Sequence, residues 1–219
     1  TNPPYKLTKD LEKKASEYIK DKFTAGKTDL YSCFMERCAH FTRENGYQAM
    51  ITQHSWMFLS SFKTLRERIL SNDNIINLVH LGARAFDDIG GEKVQTATFI
   101  ISKQKINQYC GVFINLTTYH GEKEKEKGFY DKQNIYYEFI KTFYKVPDDM
   151  IIFGHSKKFI SNFNNSLLNE TINSRVGLDT GNNDKYIRLW YEVYFCKIQF
   201  NAKSAEDVKG DYKWFPHTK

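Results

Sequence analysis

The feature that most constrains the fold is an alternation of two hydrophobic periods between residues 11 and 102. Leu11, Ala15, Tyr18, Ile19 and Phe23 recur at helical spacing with Lys and Glu between them, and Thr8 stands where a cap is needed. Asp29 is placed to cap a second helix whose apolar stripe reads Leu30, Phe34, Cys38, Phe41, with Asn45-Gly46 as its stop signal. Tyr47 to Thr52 then reads as a short strand, and Leu59, Phe62, Leu65 and Ile69 return to helical spacing as far as Asn72. Ile75 to Leu81 and Val94 to Ser102 are strand-like again. Such switching buries both kinds of apolar face only if helices lie on a sheet, so the expectation is an α/β sheet covered on both faces.

Further along, Val112 to Thr118 reads as one more strand, and the alternating charges of Glu122 to Lys127 as a solvated loop. Ile135, Tyr136, Phe139, Ile140 and Phe143 predict an aromatic helix closed by Pro147. The pattern then becomes loop-rich, which divides the 219 residues into 1–105, a connecting part 106–150, and the start of a second domain at 151–219. No apolar run approaches 18 residues and mean hydropathy is −0.60, so no membrane span is expected. Lys and Arg outnumber Asp and Glu by 32 to 26, a balance that favours a polyanionic partner. Fourteen Tyr and 17 Phe supply rings that can pack in a core or stack on bases. Cys33, Cys38, Cys110 and Cys196 form no C-x-x-C pair and read as reduced core residues. The six histidines stand singly without H-E-x-x-H, so no metal site is expected. Asn115-Leu116-Thr117 and Asn169-Glu170-Thr171 fit a glycosylation pattern, but no secretory signal accompanies them, and a cytoplasmic location is expected.

Asn2-Pro3-Pro4-Tyr5 carries the sharpest chemical signal. On its own such a tetrapeptide also suits an ordinary proline turn. Its residue types answer a particular problem, which is how to make an exocyclic amine attack. The lone pair of that amine is delocalised into the purine ring, so neutral acceptors on both amine hydrogens favour the tetrahedral nitrogen of the transition state. The Asn2 side-chain oxygen and the Pro3 carbonyl are two such acceptors. Pro3 and Pro4 fix φ, so the carbonyl is presented with little freedom to drift. The Tyr5 ring can stack on a base drawn out of a duplex. No ionised general base is required, because the proton leaves after the nitrogen has become cationic.

From these residues onward the chain resembles the amino-methyltransferases with an Asn-Pro-Pro-Tyr motif, in particular the DNA adenine N6 branch of gamma motif order. Asp29 to Glu36 resembles the family's helix after the catalytic loop, and Asn45 to Thr52 its next strand. Gly82-Ala83-Arg84-Ala85-Phe86 and Val94 to Thr98 resemble the loop and strand that close over the flipped adenine. Gln53 to Leu59, Gly177 to Asp184 and Lys213-Trp214-Phe215-Pro216 resemble stretches of the adenine-specific methyltransferases of BREX phage-exclusion systems. The resemblance implies the C-terminal half of a Rossmann-like sheet that uses S-adenosylmethionine, followed by the start of a target recognition domain. It further implies methylation of double-stranded host DNA in phage defence or restriction-modification, with other proteins of the defence system as possible partners.

Carried over by residue, the resemblance makes Asn2, Pro3, Pro4 and Tyr5 catalytic, with Tyr5 also on the base. Phe86 becomes a second contact to the adenine, a position equally suited to core packing. Phe34 becomes a border of the cofactor's adenine, although its place in a helical stripe favours the core. Trp56 and Trp190 read as structural. Gly177 to Tyr186, with Arg175, Lys185 and Arg188, marks the start of the recognition domain. No Gly-rich strand-to-helix loop with a following acidic residue occurs in the chain, so the main cofactor loop is expected upstream of a piece that opens inside its own motif and lacks an initiator Met. Two other readings stay open: a noncatalytic DNA-binding module, and a methyltransferase acting on RNA or on protein glutamine.

Overall fold

A computed structural model describes residues 1–85, 94–165, 172, 180–204, 206–208 and 210–217. The chain forms two compact units, Thr1–Leu167 and Leu168–Lys219. The first is built on a mixed sheet of five strands, β1 (Tyr47–Gln53), β2 (Asn74–Gly82), β3 (Thr96–Ser102), β4 (Cys110–Asn115) and β5 (Ile135–Phe139), in the order β1-β3-β2-β4-β5. β3 is antiparallel to both neighbours, so β1 and β2 run in the same direction; β4 is parallel to β2 and β5 antiparallel to β4. The segment 106–150 therefore contributes β4 and β5 to the sheet that β1 begins. The helices of this unit are α1 (Lys13–Lys22), α2 (Leu30–Phe41), α3 (Lys63–Asn72), α4 (Glu122–Phe129) and α5 (Lys157–Ser161); α6 (Asn183–Tyr186) lies in the second unit. None is long and apolar enough to cross a membrane, among the described residues.

The α/β sheet is as expected, but its two faces are treated differently. Register places Met50 and Thr52 of β1, Ala97, Phe99 and Ile101 of β3, Leu78 of β2 and Phe113 of β4 on one face. All are buried, in one core with Tyr31 and Met35 of α2 and Leu65, Ile69 and Leu70 of α3. On the opposite face the buried hydrophobic residues among those described are Val79, Ile114 and Leu116, packed with Leu81, Tyr119 and Ile135, beside the buried polar Thr96 and Ser102 of β3. Tyr47 and Tyr137 stand out from that face at 68% and 71% exposure. The expectation of cover on both faces is thus met on one face and only locally on the other. Period alone says that a strand is apolar, not which element of the chain reaches it.

Several local expectations change for the same kind of reason. α1 starts at Lys13 with Glu12 as its N-cap residue, while Thr8 is buried in a separate 3-10 turn, Thr8–Asp10. Asp29 caps α2 as expected, in a reciprocal box with Ser32. The buried side of α2, however, is Tyr31, Ser32, Cys33, Met35 and Glu36, leaving Phe34 42% and Phe41 71% exposed. Polar residues turned this helix. The Glu36 carboxylate accepts N–H bonds from Ala25 (3.2 Å) and Gly26 (2.7 Å), and Ser32 Oγ donates to the Gly26 carbonyl at 2.6 Å. A Cβ on Gly26 would lie 2.3 Å from the Ser32 carbonyl oxygen, so only glycine allows this approach. A hydrophobic stripe cannot register buried polar groups whose bonds are all made.

The charge run from Glu122 is helix α4 rather than a solvated loop, and its Lys125 is buried. The Lys125 ammonium donates to the carbonyls of Leu81 (2.6 Å), Leu116 (3.0 Å) and Tyr119 (2.6 Å), which uses all three of its donors. Residues 135–139 form β5, not an aromatic helix. Pairing with Cys110–Ile114 turns Tyr136 inward against the Phe153 ring (centroids 6.0 Å) and Tyr137 outward. Ile, Tyr and Phe favour strands, and spacings of four suit either period. All four cysteines are free, but only Cys33 is buried and Cys196 is exposed.

Candidate active site

Thr1 donates its amine to the Ala49 carbonyl (2.8 Å) and accepts from the Ile51 N–H (3.0 Å), the pattern of a parallel partner on the free edge of β1. The chain therefore leaves that edge in the direction of β1, which carries Asn2 to Tyr5 toward the C-terminal ends of β1 and β2. At that end a sheet has no side chains of its own in the way, and loops from several strands converge. Pro3 is buried and Asn2 and Pro4 are exposed, so the loop is seated by its first proline with Asn2 facing out.

Beyond Tyr5 the loop is fastened to the start of α2. Leu7 and Asp29 form a bridge, the Leu30 N–H donates to the Lys6 carbonyl at 2.9 Å, and the Asp29 carboxylate accepts from the N–H groups of Lys6 (3.1 Å) and Tyr31 (3.2 Å). Burial raises the Asp29 carboxyl from its ordinary value, and these N–H bonds act in the opposite direction. One carboxylate thus both caps α2 and holds the exit of the loop.

Within the loop the Tyr5 hydroxyl donates to Asn2 Oδ1 at 3.1 Å. A carbonyl oxygen has two lone pairs, so this bond aims the Asn2 oxygen and leaves it one acceptor site. The Tyr5 ring meets the buried Tyr31 ring edge-on, with centroids 6.0 Å apart and planes at 84°. The Tyr31 hydroxyl lies 2.7 Å from Ser55 Oγ, and its ring also packs on Phe62 at 5.7 Å. Tyr5 is therefore braced on its Tyr31 side and half-buried against the core.

Ser55 belongs to a 3-10 turn, His54–Met57, directly after β1. His54 Nδ1 is 2.8 Å from His80 Nε2 at the end of β2, and the two rings lie 5.0 Å apart with Phe58 against both. Burial first, then His54 and Lys125, push His80 down to about 4; burial lowers His54 as well. Both rings are neutral at physiological pH, so one N–H donates to the other ring's bare nitrogen. Below the turn, the fully buried Arg66 donates Nη1 to the carbonyls of Trp56 and Leu59, both at 2.8 Å. Its Nε and Nη2 reach the Asp148 carbonyl at 3.0 and 2.9 Å. Reading the histidines one at a time missed this arrangement.

The structure thus brings Asn2, Pro3, Pro4 and Tyr5 into one fastened loop. Phe34 is exposed on α2, so its core reading is overturned. Phe86 lies outside the described residues, as do Arg175 and Gly177-Leu178-Asp179 of the recognition stretch. Trp56 is buried in the core, as expected, whereas Trp190 is 78% exposed in the second unit. That unit has a recess of about 400 Å³ lined in part by Arg188, Lys197, Lys213, Tyr194 and Trp214, with Glu192 and Asp211 among them.

A mixed sheet with this motif at its strand ends has the organisation of a methyltransferase catalytic domain, and residues 1–86 match the family model of the Eco57I restriction-modification methylases. A solved structure from the assembly of a type I restriction-modification system shares the fold, with a TM-score of 0.54 at 12% identity, over 69% of this chain and 36% of that one. Over its whole length the chain is homologous to adenine-specific methyltransferases. It is 41% identical to PglX of Lacticaseibacillus casei (strain Zhang) and 35% identical to BrxX of Escherichia coli O9:H4 (strain HS). It spans 19% and 18% of those two proteins, about a fifth of their length. The kinship expected from the motif and the later stretches is thereby borne out.

Proposed function

We propose that the protein to which this segment belongs is a DNA adenine N6-methyltransferase of a phage-defence or restriction-modification system. The observation that carries the reading is the fastened loop in which Tyr5 aims the Asn2 oxygen while its own ring is only half-buried. One amine hydrogen of a flipped adenine would bond to the remaining lone pair of Asn2 Oδ1 and the other to the Pro3 carbonyl. Both acceptors are neutral and both are held, by Tyr5 and by two fixed φ angles, so little reorganisation accompanies the change of the nitrogen from planar to tetrahedral. The Tyr5 ring, backed by Tyr31, offers the adenine a stacking surface that offsets part of the cost of flipping.

S-adenosylmethionine, when bound, supplies the electrophilic methyl group. Among the residues of this chain, the exposed Phe34 ring on α2 suits the face of its adenine, and the principal cofactor residues would come from elsewhere in the longer protein. Double-stranded DNA is the substrate favoured by the kinship and by the net charge of +6. The segment 151–219, with its compact part from Leu168 onward, is read as the start of the recognition domain. The basic and aromatic lining of the recess near Trp214 suits backbone phosphates and bases, tempered by Glu192 and Asp211.

The test is transfer of labelled methyl by the full-length protein and its Asn2→Ala variant, offered duplex DNA, RNA and protein in parallel. Label on adenine N6 of duplex DNA that disappears in Asn2→Ala supports the reading. Label on RNA or glutamine, or DNA methylation undiminished in the variant, refutes it.

A further inference from the structure

We propose that His54 and His80 are positioning residues for Tyr5, acting through the turn that joins them to Ser55 and Tyr31. The inference rests on the reading of Tyr5 as the base-stacking ring and adds to it the device that sets the ring's place. The links are contiguous. The Tyr5 ring sits edge-on to Tyr31, the Tyr31 hydroxyl is 2.7 Å from Ser55 Oγ, and Ser55 follows His54, whose Nδ1 is 2.8 Å from His80 Nε2.

The turn that carries Ser55 is tied on three sides. The His54 N–H donates to the Gln95 carbonyl at 2.9 Å just ahead of β3, its ring bonds to β2, and the Met57 carbonyl accepts from the Ile151 N–H at 2.9 Å. Arg66 holds the Trp56 and Leu59 carbonyls from below. Of these ties the histidine pair is the one made between two side chains, and it is the one that sets the turn against β2. The remaining ties belong to the backbone or to the core. Loss of the pair frees the turn to rotate about them and carries Ser55 away from the Tyr31 hydroxyl. Tyr31 is buried with its ring on Phe62, and its hydroxyl bonds to both Ser55 Oγ and the Trp56 backbone of the same turn, so a shift of the turn leaves its packing but takes away the bonds that fix its tilt under Tyr5.

The geometry also says which replacements keep the contact. An Asn amide places a nitrogen or oxygen where His54 has Nδ1, and a Gln amide does so where His80 has Nε2. The experiment is single-turnover methylation by the full-length protein, with 2-aminopurine at the target base reporting the flipped state. Variants are His54→Leu, His80→Leu, His54→Asn, His80→Gln and Tyr31→Phe, with His54→Leu repeated in a Tyr5→Ala background. The Leu variants should lower rate and fluorescence about three- to tenfold, the scale of one lost hydrogen bond, while the two amide variants recover most of the loss. Tyr31→Phe keeps the buried ring and removes only the hydroxyl, so it should reproduce the defect even if a histidine variant folds poorly. In Tyr5→Ala the His54→Leu change should cost nothing further.

Wild-type rate and fluorescence in both Leu variants and in Tyr31→Phe would overturn the proposal. Effects fully additive with Tyr5→Ala, or amide variants as impaired as Leu, would do the same. Asn2→Ala run alongside separates the two levels. If it methylates normally, the catalytic reading fails; if it is inactive while the histidine and Tyr31 variants are intact, only the positioning role fails.

Discussion

The bond from the Tyr5 hydroxyl to Asn2 Oδ1 gives the proposed catalytic loop a distinctive mutational signature in the full-length protein. On the proposed mechanism Asn2→Ala deletes an acceptor needed most at the transition state, so kcat should fall roughly a hundredfold or more, as on loss of an oxyanion-hole donor, with DNA binding preserved. Tyr5→Phe deletes only the aiming hydroxyl. One hydrogen bond contributes about 0.5 to 1.5 kcal/mol, so its loss predicts about a 2- to 12-fold slower chemical step. Tyr5→Ala also removes the stacking surface, worth about 1 to 3 kcal/mol per base, and should reduce occupancy of the flipped state as well as turnover. Because the hydroxyl works through Asn2, the double variant Asn2→Ala/Tyr5→Phe should be no slower than Asn2→Ala alone. Single-turnover methyl transfer to duplex DNA, together with 2-aminopurine fluorescence, measures each term. Additivity in the double variant would refute the aiming role. Tyr5→Phe as damaged as Tyr5→Ala would refute stacking, and normal chemistry in Asn2→Ala would refute the mechanism.

Arg66→Met removes the Arg66 donors from the Trp56 and Asp148 carbonyls and leaves the Leu59 carbonyl with the Phe62 N–H alone; at about 1 to 3 kcal/mol for the buried Trp56 acceptor, urea unfolding of the chain should show a loss of at least that size; a change within experimental error would contradict that account. His80 is held at about 4 against an ordinary 6.5, so below pH 6.5 the unfolded chain binds a proton that the folded one refuses. Stability should therefore be unaffected by this group above pH 6.5 and fall by about 3 kcal/mol between there and pH 4; His80→Gln should flatten that slope, and an unchanged slope would assign it to other groups. The isolated chain should bind S-adenosylmethionine too weakly for calorimetry at micromolar concentration and should not methylate DNA. Its DNA binding should weaken steeply as salt is raised, because phosphate contacts dominate, whereas tight, sequence-selective binding at high salt would argue for a complete recognition surface.

The sequence by itself determined the alternation of helices and strands as far as Ser102, the cap at Asp29 and the stiffness of the Asn2-Pro3-Pro4-Tyr5 loop. Each of these is local: a period, a side chain within reach of its own helix terminus, a pair of prolines that fix their own φ. Tertiary structure alone decided which side of α2 is buried, because Ser32 and Glu36 earn their places through bonds to residues 25 and 26 rather than through apolarity. It likewise made a helix of the charge run at Glu122, since three carbonyls from separate parts of the chain converge on Lys125. β5 exists because β4 offers it an edge. His54 and His80 stand 26 residues apart and each looks unremarkable alone; β3, pairing with β1 on one side and β2 on the other, brings His54 Nδ1 to 2.8 Å from His80 Nε2. Local pattern is written in neighbours along the chain, whereas a buried polar contact exists only once distant backbone has removed the water that would otherwise compete for it.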